Sequence, residues 1–200
     1  MSLVTANEVR TFLRGLNSGD DAELTQLLSW SDSVLASHLH LPVPDGANEP
    51  TLASATYIDF LDGPRRGNAD TLQLTARPIT AITEIADDAD WSYDANVVDG
   101  SEFVFESRRG RVHLKPTASH IWSRSHRAIR VTYTAGWTSS TLPADVKNAV
   151  MLFVREHWRA KTLRGLPNAA DEDTFELAEL VPPPVAAALS RYVIWEDAVA

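Results

Sequence analysis

Cysteine is absent from this 200-residue chain, which excludes disulfides, thiolate metal sites and a cysteine nucleophile and leaves stability to packing or assembly. Also missing is any apolar run near the roughly 20 residues a membrane helix needs. The N-terminal MSLVTANEVR has no apolar signal-peptide core. The expectation is a soluble protein made in the cytosol, with no membrane partner. No GxSxG, GxxxxGKS, GxxxxGKT or GxGxxG occurs, so the common nucleophile elbow and phosphate-cradling loops are excluded.

The six histidines make no metal pattern. His38 and His40, two apart, diverge on a helix, and His113, His120, His126 and His157 form no HExxH-like spacing. Asp88, Asp90, Ser92, Asp94 and Asp99 echo a calcium loop, but Tyr93 stands where such a loop needs glycine and Asp99 where it ordinarily has glutamate. A solvated acidic turn is the plainer reading. His157 reads as a packed or hydrogen-bonded histidine. The six tryptophans read as anchors of loops and interfaces rather than as a stacking platform. The chain is therefore expected to carry no cofactor and no metal; the missing motifs do not by themselves decide whether it is an enzyme, since a carboxylate pair distant in sequence is left open.

With 44% apolar and 22% charged residues, the chain is ordinary globular material, enough for one substantial core. Its formal net charge of -9 argues against a generic nucleic-acid coat. The charges are segregated. Between Ala81 and Glu106 every charged residue is acidic, Asp87, Asp88 and Asp90 among them. Between Arg108 and Arg130 every one is basic: Arg108, Arg109, Arg111, Lys115, Arg124, Arg127 and Arg130. Asp171 to Glu179 is acidic again. Three readings stand: cross-strand pairing within one sheet, a head-to-tail subunit contact through Asp87, Asp88, Asp90, Arg108, Arg109, Arg111, Arg124 and Arg127, or DNA contact by the basic segment 108–130.

Periodicity supplies the elements. Thr5 with Glu8 makes a capping box, and Val9, Phe12, Leu13 and Leu16 form a short helical stripe. Asp20 with Glu23 offers a second start, after which Leu24, Leu27, Leu28, Ser31, Leu35 and Leu39 hold one face for about five turns. LPVPDG breaks that helix. From about Leu52 to Trp137, TYIDFLDG, DTLQLTA, ITAITEI, SEFVFES, GRVHLKP and AIRVTYTAG read as strands, the fourth and fifth forming a hairpin around Ser-Arg-Arg-Gly with acids opposite bases. In the sixth, Ile129, Val131 and Tyr133 face one way until Gly136 permits a turn. After Pro143, Val146, Ala149, Val150, Phe153, Val154 and His157 recur at helical spacing, with Asp145 near the helix start. Met151, Leu152 and Trp158 widen the stripe, so this helix is expected to be enclosed on more than one side, by its own domain or by a neighbour, with Val146, Val150, Phe153 and Val154 in the core. Residues 166–180 read as a polar surface loop. Pro182 to Pro184 then start a short helix with Val185, Ala188, Leu189, Tyr192 and Val193 on its stripe, expected to stand apart from the core and dock elsewhere.

The expected fold is therefore α+β: a small helical bundle (two N-terminal helices, one central core helix, a C-terminal helix) with an antiparallel β insertion between helix two and the core helix. Residues 1–44 and 141–165 would make the helical core, 52–137 the β-rich insertion, 166–180 the surface loop and 181–200 the C-terminal docking segment.

Taken in order, a VTxxEVxxFLR-like start (Val4 to Arg14), a second long helix, a β insertion, VTYTAGW (Val131 to Trp137), LPADVKNAVMLFVREHW (Leu142 to Trp158) and the closing PPPVAAALSRY resemble the head-to-tail connector proteins of long-tailed bacteriophages, also called head-completion or adaptor proteins, with similar ones in gene transfer agents. The resemblance implies a non-enzymatic homo-oligomer, a usually dodecameric ring in the neck of the virion. It would be added beneath the portal after DNA packaging, assembled in the host cytoplasm and possible as a monomer in solution. Its partners would be the portal protein and a downstream stopper or tail-completion protein, with packaged DNA passing through the channel. On this chain the portal-binding role would fall to Val185, Leu189, Arg191 and Tyr192.

Overall fold

The computed structural model describes residues 3–13, 16–64, 71–93, 96–164 and 181–194, with side chains through residue 160 in the fourth stretch. The expected loop at 166–180 lies outside the described residues, as do Asp94 and residues 195–200. The fold is α+β, with helices and antiparallel strands in separate parts of the chain. It divides into two compact units: residues 1–41, 50–53 and 137–200 in one, 42–49 and 54–136 in the other.

The first unit is helical. Helix α1 (Ala6–Phe12) opens on the expected capping box, Thr5 accepting from the Glu8 amide and Glu8 from the Thr5 amide. Helix α2 (Asp21–His38) is preceded by a turn of 3-10 helix at Ser18–Asp20. The expected cap at Asp20 is corrected there. Its carboxylate accepts the Asn17 amide at 2.9 Å, closing a capping box on the short turn, and makes no side-chain cap on α2 itself. The end of α2 is a Schellman motif: the Leu41 amide reaches the Ala36 carbonyl and the His40 amide the Ser37 carbonyl, with His40 left-handed at φ 57°.

Helix α3 (Ala144–Arg164) follows a Thr138–Leu142 turn, in which the Leu142 amide returns to the Thr138 carbonyl. It is enclosed by its own unit. Val146, Ala149, Val150, Met151, Phe153 and Val154 are all buried, in one core with Leu24, Leu28, Leu35 and Leu39 of α2 and Val9 of α1. Helix α4 (Pro183–Leu189) begins with prolines at its first positions, where a missing N–H costs nothing. The expectation that this segment stands apart is overturned: Val185 and Leu189 are completely buried in the same core, and α4 packs on α3. Two apolar side chains on one face of even a two-turn helix suffice to pin it once a matching groove exists, a fact sequence spacing does not reveal.

Among its described residues the second unit holds six strands, all antiparallel. They make two sheets rather than one. In the first, β6 (Ile129–Ala135) lies between β1 (Ala55–Leu61) and β3 (Ile79–Asp87); in the second, β5 (Arg111–Leu114) lies between β2 (Thr71–Gln73) and β4 (Phe103–Glu106). Strand β6 alternates buried and half-buried along its whole length, as its period of two requires. Tyr133 pairs with Tyr57 in register, their rings stacked at 5.8 Å. Its hydroxyl donates to Asp59 at 3.0 Å and accepts the Ala76 amide at 2.8 Å. Burial first, and then the Asp59 charge, push its ionisation far upward. At Gly136 φ is 106°, a conformation open to glycine.

Candidate functional site

The charge blocks meet inside the second unit, and carboxylates there hold an irregular segment between β5 and β6. Glu102, at the foot of β4, accepts the Ser119 amide at 3.2 Å, the Ser119 hydroxyl and the His120 amide at 3.1 Å. These bonds, the Ser119 hydroxyl foremost, hold its carboxyl below the usual range. Asp87, at the end of β3, takes the His120 ring Nε2 at 2.9 Å and the Ser123 amide at 2.8 Å on one oxygen. Asp62 accepts the Arg127 amide at 2.9 Å and lies 2.7 Å from the His126 ring. Gly63 lets the two segments touch, since a Cβ there would fall 1.5 Å from the Ser123 carbonyl oxygen. An acidic strand end thus grips a neighbouring loop by its backbone N–H groups, bonds roughly twice as strong as neutral ones.

Direct charge pairing is present but spread over both sheets. Arg130 of β6 bonds Glu84 of β3 at 2.5 Å and stacks over Tyr93 at 5.3 Å. Glu106 stands opposite Arg111 across the hairpin and lies 3.2 Å from the His113 ring, while Arg109 approaches it at 3.5 Å. Arg111 also donates to Gln73, Lys115 to the Ser101 carbonyl, and Arg127 lies over the Phe60 ring at 5.0 Å. Much of the basic segment is therefore engaged within its own unit rather than presented as one cationic face. The expected outward acidic face is corrected in the same way. Asp87 and Asp88 are buried, Asp88 binding the Ser92 hydroxyl and the Asp90 amide, which lower its pKa, the hydroxyl foremost. Asp90, Arg108, Arg109, Arg124 and Arg127 are exposed and Arg111 is half-buried.

In the helical unit, the residues expected to bind the portal divide by environment. Val185 and Leu189 face the core, whereas Arg191 and Tyr192 converge on Asp145 at the start of α3, with the tyrosine hydroxyl 3.3 Å from its carboxylate. Tyr192 also meets Trp137 edge-on at 6.0 Å. The Ile194 amide bonds the Leu39 carbonyl. A shallow groove on this unit is lined by Glu23, Gln26, Leu27, Trp30, His157 and Trp158. His157 sits between Trp30 and Phe153 at 4.7 and 4.2 Å, a packed histidine.

Sequence reasoning did not single out Val97 and Ile121, which are 56% and 83% exposed. Their signal was present: both are large aliphatics in stretches without strand or helix periodicity. Among the described residues no group of three or more His, Asp or Glu is placed to hold a metal ion, and no helix is long and apolar enough to cross a membrane.

Comparison with solved structures gives a fold likeness over nearly the whole chain. The neck of an empty gene transfer agent (GTA) particle, computed with C6 symmetry, contains a chain that matches with a TM-score of 0.59 at 20% identity, covering 96% of this chain and 90% of that one. A chain from the virion of a native GTA particle matches with the same values. One from the neck of a native GTA particle, computed with C12 symmetry, matches with a TM-score of 0.55 over 94% of this chain and 87% of that one. No curated protein matches. Residues 2–192 match the family described as "Head completion protein", a span that covers the second unit and nearly all of the first, and the chain belongs to that family.

Proposed function

We propose that this head completion protein is a structural subunit of the virion neck, a head-tail adaptor that forms a ring beneath the portal and joins the DNA-filled head to the tail or next connector. The carrying observation is the family match from residue 2 to 192. The likeness to chains in GTA necks solved with C6 and C12 symmetry supports a ring, dodecameric in the particle. The protein would reach that place from the host cytoplasm and act there without catalysis. In this reading the helices form a small bundle with α3 as its centre, and the sheets are an insertion. Its partners are the portal protein on one side and a stopper or tail-completion protein on the other, with packaged DNA passing through the channel. A net charge of -9 suits such a channel, because repulsion lets DNA slide.

With Val185 and Leu189 in the core, portal contact on the C-terminal segment falls to Arg191 and Tyr192 and the residues beyond them. Electron microscopy of the protein mixed with its portal tests the reading: a ring seated on the portal is expected, and a portal left bare at saturating protein would overturn it. Arg191→Glu with Tyr192→Ala, checked for an unchanged circular dichroism spectrum, is expected to lose portal capture. A deletion from Val185 onward would remove core residues and unfold the bundle instead.

A further inference from the structure

We infer that the recess at the end of β3 is a socket for an arginine of a second copy of this chain, delivered by the Ser107–Gly110 turn of that copy. The inference rests on the ring reading and adds which faces meet. The recess, about 460 Å³, is lined by Asp87, Asn96, Val97, His120, Ile121 and Ser123 among others. At its wall is the Asp87 side chain, only 2% exposed. One carboxylate oxygen takes His120 and Ser123; the other is buried and has no hydrogen-bond partner among the described residues. A buried acceptor left unpaired is costly, and a charged one more so, until a donor arrives.

Two exposed aliphatic side chains stand in the lining, Ile121 at 83% and Val97 at 56%, beside the polar Asn96, His120 and Ser123. A recess that combines a buried carboxylate, further polar groups and two exposed aliphatic side chains fits a side chain with an apolar stem and a multiply donating cationic head, which is arginine. The chain presents such a group at the tip of the β4–β5 hairpin, where Arg108 is exposed, with Arg109 beside it only loosely paired to Glu106 at 3.5 Å. Val104 and Phe105, also exposed, are neighbours on β4 and point to its opposite faces, so one of them lies beside Ile121 and Val97 of the neighbour whichever face docks.

Closure by the chain's own Arg108 or Arg109 is excluded by geometry. The recess lies at the open end of the hairpin, because Glu102 at the foot of β4 holds Ser119 and His120. The arginines lie at the closed end, beyond a four-residue strand that spans roughly 13 Å. Socket and plug at opposite ends of one hairpin can be filled only by neighbours, head to tail, the kind of heterologous contact from which rings are closed.

The absence of cysteine permits a clean test. A full-length Ile121→Cys copy is mixed with a tagged Arg109→Cys copy, each at about 1 mM so that weak contacts are populated, and treated with a short bismaleimide. The expected result is a mixed covalent dimer whose yield falls about tenfold when the tagged copy also carries Arg108→Glu. Absence of the mixed dimer, a yield indifferent to Arg108→Glu, or an equally strong dimer of Ile121→Cys with itself would each overturn the socket. Asp87→Asn, which also loosens His120 and Ser123, serves only as a second variant. A ring seen on the portal without the cross-link sinks the socket alone; the cross-link without a portal ring sinks the neck reading and leaves the contact standing.

Discussion

His40 shows how much a single residue decides. It occupies the left-handed position that ends α2, at φ 57°, where most helices place glycine because a Cβ crowds the following carbonyl. His40→Gly is therefore expected to stabilise the protein by about 0.5–1 kcal/mol, read from the shift in denaturant midpoint at constant slope. Glu8 is a second case. The Lys147 side chain first, and then the Thr5 amide, hold its pKa down from 4.5 to about 2. A carboxylate whose folded pKa is depressed adds stability above its unfolded value and loses it as pH falls through the folded one. The destabilisation caused by Lys147→Met should accordingly be full above about pH 4.5 and fade toward pH 2. Thermal melts across that range would show it, and a difference independent of pH would rule the pairing out as the cause.

Helix α3 is the element on which the helical unit is built, and Phe153 is fully buried on it, edge-on to Trp30 at 5.1 Å. Phe153→Ala should cost about 3–5 kcal/mol; a loss below about 1 kcal/mol would mean that its face is not packed in solution. Helix α4 carries the sharper expectation. A free docking tail would tolerate truncation of its apolar side chains, whereas a packed one would not. Leu189, fully buried in the helical core on a helix that packs on α3, should lose about 2–5 kcal/mol on substitution by alanine, measured by urea unfolding of the protein alone, without portal.

For the whole molecule, net charge and pairing act together. A formal charge of -9, with Arg130, Arg109 and His113 set against acids of their own unit, leaves little continuous cationic surface for phosphates among the described residues. The isolated protein is expected to show no retention of duplex DNA in a gel shift at physiological salt. Affinity tighter than about 10⁻⁴ M that falls steeply with salt would instead assign the segment 108–130 to DNA.

Local pattern was enough for the elements. Strict alternation marks β6, the Ser-Arg-Arg-Gly turn marks the β4–β5 hairpin, and Thr5 with Glu8 marks the start of α1, because each is fixed by interactions a few residues apart. The breadth of the α3 stripe likewise foretold its enclosure, and Val146, Val150, Phe153 and Val154 are buried as their spacing required. What the chain order could not contain was partnership between distant segments. Whether six strands make one sheet or two depends on which edges meet. Whether Val185 and Leu189 face a partner or their own core depends on how α3 and the core around it receive α4. Whether Asp87 faces water or a recess depends on how Glu102 and Gly63 place the loop around Ser123. Charge and periodicity are written along the sequence, but burial is a property of what lies across from a residue, and only the tertiary structure decides that.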